Sequence, residues 1–303
     1  YISNFEVSYI FISNLVASAV TLLLLVRFYF KVSYIIDPLL WKKMMKYALP
    51  VLVAGVAFSI NETFDRVLLE RLLPENIARA SIGMYSACYK LALFMMLFST
   101  AYRLGIEPFF FNQSKNQDAE KNYAKVLELF VVFGAVILLT VVVFIDFLKV
   151  LLIPNQAYWE AMCVVPLLLL AYFFLGIYHN LSVWYKVTDR TKFGAYISVF
   201  GALITLLINA LFIVEFNYMA SAVATLVAYF TMTLLSYYFG MKYYPIPYNI
   251  KKIALYICLT IFLSALSFYK FRENYFLGSG LIILLISIIC ANEKMIIKQL
   301  LKK

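Results

Sequence analysis

Charged residues are what this sequence has least of: Asp, Glu, Lys and Arg make up 14% of 303 residues, against about 25% in soluble domains. Hydrophobic residues reach 64%, so too few polar side chains remain to cover a water-soluble fold. Lipid must be the solvent for much of the exterior. Histidine occurs once, as His179. It has no Asp, Glu or second His within a helical turn, as a membrane acyltransferase or metalloprotease would require, and it reads as a polar group bonding a neighbouring helix. HExxH, GxSxG and Gly-rich phosphate loops are all missing. No catalytic residue, metal ligand or cofactor is therefore assigned. The four cysteines, Cys88, Cys163, Cys258 and Cys290, lie far apart in apolar runs and read as small buried hydrophobes. Ten-residue β alternation is absent too, which excludes an outer-membrane barrel.

What the chain does have is long apolar runs. About 20 residues are needed to cross a bilayer as a helix, and such runs lie near 9–27, 47–73, 81–105, 124–146, 161–185, 193–214, 217–239, 253–269 and 275–292. The expected fold class is an all-α integral membrane protein of about nine transmembrane helices. Pro50 and Pro166 fall in first turns of these runs, where a missing N–H costs little. The connecting loops are short and leave no room for a separate soluble domain. Tyr and Phe are abundant (24 and 27), as expected where aromatic rings populate both interfaces.

The net charge of +10 does not point to nucleic acid, because the basic residues sit in alternate loops. Eighteen of the 26 fall on one side, among them Lys42, Lys43, Lys46, Lys186, Arg190 and Lys192. Five fall on the other: Arg71, Arg79, Lys149, Lys270 and Arg272. The Lys/Arg-rich side is cytoplasmic, which predicts a cytoplasmic C-terminus and an external Tyr1.

Charges inside spans are expensive and mark function. The second run carries Asn61, Glu62, Asp65 and Arg66, and the third carries Lys90. Glu62 and Arg66, four apart, can pair along one helix face. Arg66 lies seven residues from Leu73, roughly 10 Å by helical rise, and Lys90 nine from Ser81, roughly 13 Å, so acid and base share one depth. Two readings stay open: an ion cluster locking the hairpin, or a polar face on an aqueous cavity that accepts an anionic headgroup. Arg103 and Glu107 read as an interfacial pair, and Asn209 as an interhelical hydrogen bonder.

The segment YALPVLVAGVAFSINETFDRVLLERLLP, followed by IGMYSACYKLALFMMLFSTAYRLGIEPFFF, resembles Wzx-type polysaccharide flippases of the multidrug/oligosaccharidyl-lipid/polysaccharide (MOP) exporter superfamily. The positions that carry the likeness are Leu49-Pro50, Asp65-Arg66, Tyr85 to Lys90 and Glu107-Pro108-Phe109. Later, VTDRTKFGAYISVFGALITLLINALFI resembles the family's cytoplasmic turn and Asn-containing helix. The resemblance implies a six-helix MATE-like lobe at 46–240, two additional C-terminal helices with a basic tail at 241–303, and the last helix of a first lobe with its linker at 1–45. With a start at Tyr1 rather than Met, it also implies a C-terminal part whose first five helices lie upstream and which inserts but does not transport alone.

The function so implied is flipping of polyprenyl-pyrophosphate-linked oligosaccharide across a bacterial cytoplasmic (inner) membrane by alternating access. Lys90 and Arg66 would neutralise the pyrophosphate, with Asp65, Glu62 and Asn61 completing the substrate-binding face. Membrane lipids are partners, and a coupling cation is a further partner the resemblance allows. A lipid II flippase or a multidrug extruder of the same superfamily are the alternatives. An O-antigen polymerase or ligase would want a large Arg-rich external loop, whereas the longest external loop, roughly 146–160, has one Lys and no Arg.

Overall fold

The computed structural model describes residues 8–31 and 37–292. Tyr1 and the basic tail (Lys294, Lys298, Lys302, Lys303) lie outside the described residues, and so does the charge-based placement of both termini. Among the described residues, nine helical segments are long and apolar enough to cross a membrane, and they coincide with the nine apolar runs. The chain divides into two units, Tyr1–Lys46 and Tyr47–Lys303.

In the first unit, α1 (Ser8–Tyr29) buries none of its residues. A helix that is apolar all round and unburied is one whose solvent is lipid. Next, α2 (Pro38–Leu72) has its first nine residues in this unit and the rest, from Tyr47, in the second; it starts nine residues before the apolar run. The Asp37 carboxylate accepts the backbone N–H groups of Leu39 (2.8 Å) and Leu40 (3.3 Å), with Pro38 at the first helical position, as capping favours. Pro50 is consequently not in a first turn but deep inside the helix, where it deletes one backbone hydrogen bond.

In the second unit, α3 (Glu75–Gln113) runs through Pro108 instead of ending there. Then come α4 (Ala119–Val143), α5 (Ile145–Leu152), a 3-10 segment (Gln156–Cys163), α6 (Val164–Leu181) and α7 (Val183–Val187). The stretch read as an external loop, 146–160, is thus largely α5 and 3-10 helix. The unit ends with α8 (Lys192–Phe216), α9 (Tyr218–Tyr243), α10 (Ile250–Lys270) and α11 (Tyr275–Asn292). Pro166 does sit in the first turn of α6.

Helix α6 is the hub and packs against α3, α4 and α9, while α8 packs on α9, and α10 and α11 both lie on α4. The α4–α6 seam is built by exchange. The Phe130 ring of α4 lies over Gly176 of α6, and the Phe173 ring of α6 lies over Gly134 of α4. The two rings stack at 6.0 Å. Glycine is required at both places because any Cβ would run into a ring. By contrast, the stretch of α2 around Leu49–Val56 is separated from α8 by two apolar crevices of about 570 and 270 Å³.

Loops assigned to one side by charge also meet one another. At one end Lys186 bonds Glu107 (2.5 Å) and Thr191 donates to the Tyr47 carbonyl (3.2 Å). At the other, Arg272 and Lys149 converge on Asp146, and Asn217 donates to Ser81 (2.7 Å). Asn217 turns the chain between α8 and α9 at φ 51°, a positive value that Asn tolerates better than most residues.

Candidate functional site

Four residues of α2, one helical turn apart in pairs, open the site. Asn61 and Asp65 point into the lobe and are almost fully buried (1% and 2% exposed). Glu62 and Arg66 lie on the adjoining, half-buried face.

Asp65 accepts three hydrogen bonds from three different helices: Tyr85 Oη of α3 (2.9 Å), Asn209 Nδ2 of α8 (3.1 Å) and Thr225 Oγ1 of α9 (3.2 Å). Around it the network continues. Thr205 donates to Asn61 Oδ1 (2.6 Å), and Ser221 donates to Asn209 Oδ1 (2.7 Å). Asn209 is therefore the interhelical bonder its sequence position suggests. The Asn61 Nδ2 group is buried without a partner among the described residues.

Glu62 is held by a ring of tyrosines. Tyr89 of α3 and Tyr172 of α6 both donate to Oε2 (2.5 and 2.8 Å), and Tyr229 of α9 donates to Oε1 (2.5 Å). The expected Glu62–Arg66 side-chain pair does not form. Arg66 instead donates through Nη1 to the Glu62 backbone carbonyl (2.8 Å) and through Nε to Ser86 Oγ (3.3 Å). Its guanidinium lies 4.6 Å from the centre of the Tyr89 ring, close enough for a cation–π contact. Two buried-facing acids thus tie α2 to α3, α6, α8 and α9. Side-chain hydrogen bonds of this kind average about 0.6 kcal/mol inside membranes and reach about 1.7.

Lys90 stands apart from this network. It is exposed and makes no hydrogen bond or ion pair among the described residues. It continues as one exposed stripe along α3 with Phe94, Leu97 and Leu104. Asp65 is satisfied without it. At the other end of α3, the Arg103–Glu107 pair gives way to Glu107–Lys186, and the Arg103 Nε is buried without a partner. The His179 ring makes no hydrogen bond among the described residues and rests against Tyr178 (5.7 Å). No group of three or more potential metal-ligating His, Cys, Asp or Glu residues occurs among the described residues.

The tyrosines, threonines and serines of the network went unread in the sequence, although a signal was there. Three of the helices, α3, α8 and α9, offer polar residues four apart within an apolar run: Tyr85 and Tyr89, Thr205 and Asn209, Ser221 with Thr225 and Tyr229; Tyr172 of α6 has no such companion. Such spacing places both groups on one face.

A family model described as "Polysaccharide biosynthesis protein" matches residues 6–102, the stretch that contains α2 with its four polar residues and α3, with Lys90, as far as Tyr102. No curated protein sequence matches the chain. Solved structures that are similar include two transporters. One is a MOP superfamily transporter from Pyrococcus furiosus, described as having a binding pocket of reverse polarity, at 16% identity and a TM-score of 0.58. The other is a multidrug resistance MATE family transporter of the same superfamily in an outward-facing conformation, at 17% identity and a TM-score of 0.58. In each case 74% of this chain aligns, and it spans only 52% of the other. The likeness is one of fold: a six-helix lobe with two further helices packed on it, shared with about half of each of these two transporters.

Proposed function

We propose that this chain is the moving lobe of a MOP-type transporter that flips polyprenyl-pyrophosphate-linked oligosaccharides across the bacterial cytoplasmic membrane, for surface polysaccharide biosynthesis. The observation that carries the reading is the match to polysaccharide biosynthesis proteins across residues 6–102, because this stretch holds both the fixed polar face and an exposed cation. Alternating access then brings the headgroup past that face while the polyprenyl tail stays in lipid.

Within this reading the five polar residues divide the work. Lys90, exposed and unpaired at mid-helix, supplies a positive charge for the pyrophosphate in a medium where opposite charges attract far more than in water. Arg66 adds a second charge at the edge of the network. Asn61, Glu62 and Asp65 hold α2, and with it Arg66, in one position and complete the polar face. A cation or proton exchanged at Asp65 is the coupling partner this arrangement accommodates. The Lys and Arg distribution supports a cytoplasmic C-terminus in this reading.

A multidrug extruder is the second reading, favoured by the acid-and-aromatic set of Glu62 with Tyr89, Tyr172 and Tyr229. The three hydroxyls already occupy that carboxylate, however, and leave Lys90 as the exposed charge. The test is complementation of a flippase-null strain by the complete gene product and its variants. Lys90→Ala lowers surface polysaccharide at least tenfold at unchanged membrane abundance. Lys90→Arg keeps part of the activity, since charge persists while headgroup geometry changes. Wild-type polysaccharide from Lys90→Ala, or resistance to cationic drugs in place of complementation, would overturn the proposal.

A further inference from the structure

Three basic side chains meet far from the Glu62–Asp65 network, at the opposite end of the lobe. Arg103 on α3, His179 on α6 and Lys186 on α7 line one cavity of about 190 Å³, together with the hydroxyls of Tyr178, Tyr185 and Ser198. Along α3, Arg103 is fourteen residues beyond Tyr89, roughly 20 Å by helical rise. This is the end of the lobe that carries Lys186, Arg190 and Lys192, the basic side of the charge pattern.

The chemistry of the lining is that of an anion site. Arg103 makes no hydrogen bond or ion pair among the described residues, and its Nε is buried without a partner. A charged donor left unpaired out of water is costly. Ligand oxygens in the cavity would satisfy it, and the planar guanidinium fork matches phosphate. The Tyr178 hydroxyl lies 3.1 Å from that of Tyr185 and 3.3 Å from Ser198 Oγ, giving a chain of adjustable donors along one wall. Glu107 takes the Lys186 ammonium through Oε1 (2.5 Å), which leaves Arg103 without a carboxylate partner among the described residues. No acidic side chain lines the cavity itself among the described residues. The remaining wall is apolar, with Val51 and Phe58 of α2 and Met232 of α9. The space suits a small anion with an apolar attachment rather than a sugar chain.

We propose that this cavity is a loading site that binds the phosphate of a phosphorylated polyprenyl lipid at the basic end of the lobe, before the headgroup reaches Lys90. The proposal rests on the flippase reading, and the experiment separates the two. The purified protein in neutral detergent is titrated with farnesyl pyrophosphate, inorganic pyrophosphate and farnesol, with binding read by calorimetry and by the shift in melting temperature.

Farnesyl pyrophosphate binds and raises the melting temperature, and farnesol does neither. Arg103→Gln weakens farnesyl pyrophosphate binding at least tenfold and Arg103→Lys by an intermediate factor. Lys121→Gln, an exposed charge far along the chain in α4, stays at wild type. Should Arg103→Gln fail to fold, Arg103→Lys and the ligand-induced shift in the wild type carry the test. Undiminished binding by a folded Arg103→Gln overturns the loading site and leaves the flippase reading standing. Absence of farnesyl pyrophosphate binding by the wild type overturns both. Inorganic pyrophosphate binding as tightly as the prenyl compound overturns the lipid part and assigns the cavity to a free anion.

Discussion

Removing the three hydroxyls around Glu62, singly and then together, tests whether the tyrosine ring is what holds α2 in the lobe. Tyr89→Phe, Tyr172→Phe and Tyr229→Phe each delete one bond to the same carboxylate, at 2.5, 2.8 and 2.5 Å. Phenylalanine keeps each ring, so the Arg66 contact on ring 89 survives and only the hydroxyl is tested. At about 0.6 to about 1.7 kcal/mol per intramembrane bond, each single change should cost that much. The triple change should cost about 2 to about 5 kcal/mol if the bonds add. It should in fact exceed the sum of the singles, because a partly bonded carboxylate keeps some satisfaction while a bare one carries its whole desolvation penalty. Glu62→Leu placed on the triple background removes the stranded acid and should recover much of the loss. Unfolding in mixed detergent micelles, followed by tryptophan fluorescence, measures the series. A triple variant no less stable than the worst single one, or no recovery with leucine, would refute the reasoning.

Two further outcomes follow from packing and charge. Gly176→Ala should cost about 1–3 kcal/mol, since the new Cβ meets the Phe130 ring and approaches Ser99 Oγ at 2.7 Å; thermal unfolding in detergent reads it, and a wild-type midpoint counts against the ring-on-glycine seam. Asp146, between the spans, is pushed upward by burial, yet hydrogen bonds from Arg272 and Lys149 outweigh this and hold its carboxyl below the ordinary value of 3.8. A depressed pKa gives stability that is present above the unfolded value and is lost as pH falls through the folded one. The stability gap between wild type and Asp146→Asn should therefore shrink from about pH 5 to about pH 3, and a constant gap across that range would refute it.

The nine spans were legible because lipid imposes a length and a composition that few other structures share. What hydropathy could not show was where helices continue past the apolar run. Residues 38–46 of α2 include Lys42, Lys43 and Lys46 and carry no span signal, yet Asp37-Pro38 is a cap and a first-turn proline in plain view. In the site, the charges were legible and their partners were not. Tyr, Ser and Thr are ordinary inside apolar runs until two of them stand four apart. Lys90 illustrates a different gap. Helical rise gave its depth, but depth says nothing about azimuth. Tyr85 and Tyr89 face the lobe, and Lys90, one residue further, points about 100° away.

Mechanically, α2 is a beam with unequal supports. Between positions 61 and 69 it is clamped: moving that stretch breaks hydrogen bonds to four helices at once and unseats the fully buried Leu69. Between Tyr47 and Val56, the one hydrogen bond to another segment among the described residues is that from Thr191 to the Tyr47 carbonyl, and the flanking crevices leave room to move into. Pro50 lies in the loose stretch, where the missing backbone bond lowers bending stiffness. The clamp thus acts as a fulcrum, and a small deflection at the loose end sweeps the wall of the cavity that contains Arg103 while leaving Glu62 and Asp65 still.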